Sequence, residues 1–209
     1  MELIRGLHNL RPRHRGSVAT IGNFDGVHLG HQAIFRHLID KAHELGLPAA
    51  VITFEPQPQE FFSPEAAPAR LTRFREKLQA IRDTGVDRVM LLEFNARLAT
   101  MSAAQFVRRL LVEGLAVRYL FVGDDFRFGR GREGDIDLLR REGAARGFAV
   151  DNMSTFAVEQ RRVSSTLIRE ALRDGDLRAA ERMLGRPYRI CGRIAHGDKR
   201  GRTIGFATA

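Results

Sequence analysis

Short apolar runs alternate with amphipathic stretches down the first three-quarters of this chain, and that alternation restricts the fold more than any other feature of the sequence. The runs at 17–21, 49–54, 88–94, 119–122 and 148–150 read as strands. Between them, Ile34, Leu38, Ala42 and Leu45 make one stripe of a helix over 31–45, with Gly46 as its stop. Phe74, Leu78 and Ile81 mark a second helix, ended by Gly85. Ser102 and Gln105 form a capping-box pair ahead of the helix that carries Phe106, Leu110 and Leu111, and 136–146 is a further helix closed by Gly147. Strands separated by helices pair as parallel neighbours through right-handed crossovers, with helices on both faces of the sheet. The expected class is α/β, and ligands of such sheets lie beyond the carboxyl ends of the strands.

The strand-end loops are therefore where chemistry is sought. The first, 22–30, leads from a strand into a helix start at His31. A helix start has N–H groups without intrahelical partners and partial positive charge, so it favours an anion. Gly22, Gly26 and Gly30 clear side chains from a path along which phosphate could touch backbone. His28 and His31, three apart, can face one phosphate as hydrogen-bond donors, with positive charge if protonated. The resulting His-x-Gly-His clamp suits charge building on a transferring phosphoryl group, although alone it is equally a surface pair at a helix start.

The length of 209 residues allows one good core and the beginning of a second domain. With 44% hydrophobic and 28% charged residues, the chain should be globular. No apolar run is long enough to span a bilayer and the N-terminal stretch has no leader-like apolar region, which makes a cytoplasmic location the expectation. Cys191 is the only cysteine, so no internal disulfide can form. The net charge of +9 comes mostly from arginine, since lysine occurs only at Lys41, Lys77 and Lys199. Such a balance raises nucleic-acid binding as an alternative. Arg36, Arg82, Arg108, Arg109, Arg140 and Arg141 are instead scattered over helices, as solvated faces are, so small anionic substrates are expected and neither nucleic acid nor membrane is. Nothing in the sequence fixes an oligomeric state.

GNFDGVHLGHQ, 22–32, resembles the opening motif of the bacterial bifunctional riboflavin kinase/FMN adenylyltransferase family, also called FAD synthetase. The resemblance recurs along the chain. TFEPQP in the second strand-end loop, 53–63, looks like that family's flavin-side motif and points to Pro56, Pro58 and Phe62. On residues alone, two prolines at alternate positions make that loop stiff and extended, with Phe61 and Phe62 as flat apolar surface; phenylalanines tucked into the core are the competing reading.

The loop 122–135 contains Gly129-x-Gly131-x-x-Gly134 with Asp151 downstream, imitating a dinucleotide-binding fingerprint. Asp124 to Phe128 intervene between strand and glycines, which forbids the strand-to-helix turn that fingerprint requires. GDDFRFG in that loop resembles the family's flavin-pocket segment, implying that Phe128 meets the flavin ring and that Asp125 organises substrate near the phosphates. Other members often carry an amide at the Asp125 position. Phe106 is a third aromatic of this group, and its helical spacing equally fits core.

VSSTLIR, 163–169, offers Ser164, Ser165 and Thr166 as helix caps and Arg169 one turn later as a forked donor to an anion. Alone it is a capped helix with an exposed arginine. Together with His-x-Gly-His it looks like the second signature of the nucleotidyltransferase superfamily, whose two helix starts meet over one triphosphate on a Rossmann-like sheet.

The resemblance implies a mechanism in which the phosphate of FMN attacks the α-phosphorus of ATP, giving FAD and pyrophosphate. His28, His31 and Arg169 would carry the charge stabilisation, Ser164 to Thr166 would hold phosphates, and Gly22, Asn23, Phe24 and Gly30 would seat the nucleotide. Mg²⁺ would arrive with ATP, no carboxylate cage being visible. A transferase with another phosphorylated acceptor is the second alternative.

The tail, 188–209, turns to alternating strand-like residues and glycines and resembles the start of the riboflavin kinase barrel. Ala207 stands where that family usually has proline. The expected division is an adenylyltransferase domain over 1–186 and the first strands of a kinase domain over 187–209, too little for riboflavin phosphorylation by this chain.

Overall fold

The computed structural model describes residues 1–123, 125–153, 157–158, 161–192 and 205. Six strands, β1 (Glu2–Arg5), β2 (Ser17–Ile21), β3 (Ala49–Glu55), β4 (Arg88–Glu93), β5 (Val117–Gly123) and β6 (Ala149–Met153), form one sheet in the order β1-β4-β3-β2-β5-β6. Every neighbouring pair is parallel. The expected parallel sheet is present, with the edge strand β1 in addition; its four residues at the terminus carry too little pattern to read. A short antiparallel pair, Ala157–Val158 with Arg161–Arg162, stands apart from the sheet.

The two-residue period of the strands divides the core between two faces. Ala19, Ile21, Ala50, Ile52, Phe54, Met90, Leu92, Leu120 and Val122 point to one side. There they meet α5 (Ala103–Phe106), its continuation as a π-helix over Val107–Gly114, and α6 (Ile136–Arg146). Val18, Ala49, Val51, Val89 and Phe121 point to the other side, against α1 (Leu29–Leu45) and α3 (Phe74–Arg82). The α1 stripe is Phe35, Leu38 and Ala42; Leu45 is exposed because the left-handed turn at Gly46 delivers Leu47 to the apolar cluster instead. A third, smaller cluster joins Leu71 to Ile168 of α7 (Ser165–Arg173) and to Ala180 and Leu184 of α8 (Leu177–Leu184).

Two loops differ from expectation. The segment after β3 does not stay extended: Pro58 is the first residue of a one-turn helix, α2 (Pro58–Phe62), a position where the missing N–H costs nothing. Residues 188–192 take no regular element, and the rest of the expected barrel strands apart from Gly205, Ala207 included, lies outside the described residues, as does Asp124. The remaining helix, α4 (Ala96–Ala99), is a single turn. Among the described residues no helix is long and apolar enough to cross a membrane.

The strand order makes β2 the pivot of the sheet. β3 and β4 lie on one side of it and β5 and β6 on the other, so the order reverses at β2 and opens a crevice beyond its carboxyl end. The 22–28 loop begins there.

Candidate active site

Asp25 organises this loop. Its carboxylate is 3% exposed and accepts from the backbone N–H of Leu71 (3.0 Å) and Thr72 (3.0 Å), from the Thr72 hydroxyl (3.2 Å) and from Nη2 of Arg169 (2.6 Å). Its own carbonyl accepts from the Ser165 hydroxyl at 2.9 Å. One buried acid thus ties the first loop to the segment ahead of α3 and to the start of α7. No local motif marks Asp25, although a carboxylate in a loop flanked by buried apolar residues must find donors.

The loop is held in an unfavourable backbone shape. Phe24 and Val27 have φ of 49° and 42°, beside Gly26 at 82°. A left-handed conformation is costly for a β-branched residue and persists where surrounding contacts over-determine it. Those contacts are visible: Arg186 donates to the carbonyls of Gly26 (2.6 Å) and Val27 (3.1 Å), Gln32 donates to Val27 (2.9 Å), and the Gly26 N–H donates to the Thr72 hydroxyl (3.0 Å).

His28 caps α1, which therefore begins at Leu29, two residues earlier than the sequence suggested. Its Nδ1 accepts the backbone N–H of His31 at 3.3 Å, so the ring carries its proton on Nε2. The two imidazoles stack with centroids 3.6 Å apart, and the edge of Phe24 meets His31 at 5.2 Å. Burial, only partly opposed by the charge of Asp25, pushes His28 down to about 4. Burial, reinforced by His28 and Lys77, holds His31 well below the usual imidazole value. Both rings are neutral at pH 7 in this state and offer N–H groups rather than full charges.

Gly30 explains how the two helix starts approach. A Cβ there would lie 3.1 Å from the His28 ring and 3.6 Å from the carbonyl of Val163, immediately ahead of α7. Gly22 similarly leaves room for Phe24, whose ring a Cβ would meet at 2.9 Å. At α7, Ser164 caps the helix by accepting from Leu167 N–H (3.3 Å), Ser165 is spent on Asp25, and Thr166 is exposed. Arg169 engages Asp25 through Nη2 and the carbonyl of Ala69 through Nε (2.6 Å), which leaves Nη1 for an anion.

The other expected site residues fall on the same carboxyl edge in two aromatic groups. Phe61 and Phe62 of α2 pack edge-on against Phe94, each with centroids 5.5 Å away, and Phe62 remains 64% exposed beside Pro56 and Pro58. Phe128 lies buried between Phe106 (5.4 Å) and a parallel Phe126 (5.5 Å). Asp125 is exposed, and Asn23 offers its carbonyl to the Thr53 hydroxyl at 3.3 Å. Phe54, Phe106 and Phe128 belong to one apolar cluster, and Phe94 and Phe126 pack against it.

Behind the histidines is a charged layer. Arg70 bridges Glu55 (2.7 Å) at the end of β3 and Glu60 (2.5 Å) of α2. Lys77 of α3 is wholly buried beside them. A cavity of about 800 Å³ lies elsewhere, between α3 and the segment after α8, with Val27, Gln32, Thr72 and Arg186 in its wall and neither histidine. At the carboxyl edge of the sheet, Asp25 ties the loop that leads into the two imidazoles to Arg169 and Ser165 of α7.

The FAD synthetase family profile matches residues 10–167, and the riboflavin kinase profile matches 184–209. The chain is 57% identical to a bifunctional riboflavin kinase/FMN adenylyltransferase of Pseudomonas fluorescens and 51% identical to that of Escherichia coli (strain K12). Each match covers all of this chain and 67% of the relative. A crystal structure of a protein named as a macrolide-efflux protein from Streptococcus pneumoniae superposes with a TM-score of 0.81 at 28% identity, over 98% of this chain and 67% of that one.

Proposed function

This chain belongs to the bifunctional riboflavin kinase/FMN adenylyltransferase family, and from that premise we propose how its residues share the transfer of AMP from ATP to FMN. A phosphate oxygen of FMN attacks the α-phosphorus of ATP, the bond to the bridging oxygen breaks, and pyrophosphate leaves with the electron pair. No covalent bond to protein is required, so catalysis is positioning and charge stabilisation. The observation that carries the assignment is the Arg169–Asp25 pair, which brings the second helix start to the loop that holds the histidines.

His28 Nε2–H and the exposed edge of His31 donate to the oxygens on which charge develops. Arg169 Nη1, with Ser164 and Thr166 at the start of α7, grips the β- and γ-phosphates. Gly22, Asn23, Phe24 and Gly30 seat the nucleotide along the strained loop, and Ser165 holds that loop in place through Asp25. Phe62, Pro56 and Pro58 form one wall for the isoalloxazine ring. Phe106 and Phe128 support the opposite wall from within the core, and Asp125 orients the FMN phosphate.

Magnesium enters as the ATP complex. The nearby carboxylates of Asp25, Glu55 and Glu60 are engaged by arginines, so phosphate oxygens and water supply the ion's ligands. We place the adenylyltransferase module at 1–186, the start of the kinase module at 187–209, and the enzyme in the cytoplasm. Its partners are ATP and FMN rather than nucleic acid, since arginines such as Arg140 and Arg146 answer acids on their own helix.

Incubating the chain with FMN, ATP and Mg²⁺ and separating flavins by chromatography should yield FAD and an equal amount of pyrophosphate. Turnover of another phosphorylated acceptor but not FMN would assign a different transferase. Salt-dependent RNA binding without adenylyl transfer would assign a binding module.

A further inference from the structure

Arg186 is the second residue past α8 and is half-buried. It lies beyond the end of the FAD synthetase match, in the stretch that matches the riboflavin kinase profile. All of its hydrogen bonds among the described residues go to backbone carbonyls: Nη2 donates to Gly26 (2.6 Å), and Nη1 donates to Val27 (3.1 Å) and to Leu184 (3.3 Å). Gln32 of α1 donates to two of the same acceptors, Val27 (2.9 Å) and Leu184 (3.1 Å). The turn that delivers the arginine is left-handed at Gly185, with φ of 71°, and a Cβ on that glycine would lie 2.6 Å from the side chain of Leu29, the first residue of α1. The end of α8 and the start of α1 are laced together around the carbonyl that immediately precedes His28.

One of these bonds has an ordinary purpose. The last carbonyls of a helix lack intrahelical partners and commonly accept from a nearby basic side chain, which accounts for Leu184. It does not account for Gly26 and Val27, which lie 160 and 159 residues back in the chain. Those two carbonyls belong to the peptide groups on either side of the Val27 Cα, and the rotation between these groups is the φ and ψ of Val27. A fork that grips both therefore holds Val27 at φ of 42°, a conformation that a β-branched residue leaves when it is free to do so. Relaxation of Val27 would turn the Val27–His28 peptide and carry the His28 ring off its stack with His31.

We propose that Arg186 is a positioning residue of the adenylyl-transfer site: reaching in from the segment that leads toward the kinase module, its guanidinium fixes the two peptide groups flanking Val27 and so sets the His28 ring toward the nucleotide phosphates. This rests on the adenylyltransferase reading for its purpose, but the clamp itself can be seen without substrate.

The test begins with wild-type chain labelled with ¹⁵N-arginine. A guanidinium gripping two carbonyls should show its Nη protons as separate, slowly exchanging resonances, assigned by their loss in Arg186→Lys. Arg186→Lys keeps the charge but presents one nitrogen in place of two, and Arg186→Met keeps neither. Both should lower kcat for FAD synthesis, about 10- to 100-fold, while KM for FMN holds; a loss of that size follows from displacing a reacting group by about 1 Å. In both variants, measured well below their melting temperatures, His28 should titrate above its wild-type value of about 4. The charges of Asp25 and Arg186 act on that ring, and Arg186→Lys retains both, so a rise there reports movement of the loop. Arg189→Gln, which removes an exposed charge three residues on, should match wild type. Averaged, fast-exchanging Nη protons in the wild type would overturn the proposal even if the variants failed to fold. So would a folded Arg186→Met protein in which either kcat or the His28 titration is that of wild type. Absence of FAD synthesis in the wild type would sink the adenylyltransferase reading and leave the clamp to be judged by the spectra.

Discussion

Nη2 of Arg169 and Oδ2 of Asp25 meet at 2.6 Å across 144 residues of chain. The pair is shielded on the Asp25 side, and the same carboxylate also answers Leu71 and Thr72. Asp25→Ala would leave those donors and the guanidinium facing an empty space. Breaking a buried pair from one side costs about 3–5 kcal/mol. Urea unfolding of Asp25→Ala should show a loss of that order; a loss below about 1 kcal/mol, the range of exposed pairs, would mean that the hub is not structural.

Acid should weaken the protein through His28 before it acts through the carboxylates. The folded-state value of His28 is about 4 against an ordinary 6.5, so the unfolded chain binds more protons between these limits. Stability contributed by the neutral ring is complete above pH 6.5 and is lost as pH falls toward 4, a total of about 3 kcal/mol. Glu60, which Arg70 holds below the usual carboxylate value, adds its loss only at still lower pH. Denaturation midpoints at pH 7 and pH 5 should differ in wild type and differ less in His28→Gln. Equal differences in the two proteins would place the acid sensitivity elsewhere.

The two aromatic groups should separate binding from stability. Phe62 is mostly exposed, so Phe62→Ala should change stability by no more than about 0.5 kcal/mol. If its ring lies against isoalloxazine, KM for FMN should rise roughly 3- to 10-fold, the value of one aromatic contact. Phe128 is core, and Phe128→Ala should cost about 3–5 kcal/mol. An unchanged KM in Phe62→Ala would remove that wall from the flavin site.

Much of this architecture was legible because periodicity and punctuation agreed. The helix Ile136–Arg146 and its stop at Gly147 emerge as read, and so does the Ser102–Gln105 capping box. What escaped has physical reasons. β1 is too short to show a period, and its place is set by pairing with β4. Leu45 follows the α1 stripe in sequence, but the turn at Gly46 puts Leu47 on the core. Two prolines at alternate positions predict stiff extended backbone, whereas Pro58 opens a helix turn. At the site, the motif histidines and Arg169 stood out by spacing, whereas Asp25 and Lys77 did not: nothing local distinguishes a buried charge from a solvated one. The partners of Asp25 lie 46 to 144 residues away, and Nζ of Lys77 has none among the described residues.

His31→Ala and Gly30→Ala approach the same chemistry from opposite directions. His31 is half-buried, and its Nδ1 makes no hydrogen bond among the described residues, so its removal should leave the fold intact. The loss of one transition-state donor should lower kcat about 10²- to 10³-fold. Gly30→Ala keeps both imidazoles and favours the helix by about 1 kcal/mol in intrinsic propensity. Its new methyl would, however, lie 3.1 Å from the His28 ring, and that ring cannot retreat freely because it is stacked on His31 at 3.6 Å. The expected outcome is a protein of near-normal melting temperature whose kcat falls while KM for FMN holds, because the alanine displaces the phosphate-facing pair and not the flavin wall. Steady-state kinetics beside thermal unfolding of both variants checks this. Full activity in Gly30→Ala would show that the stacked geometry of the histidines is not what the reaction uses.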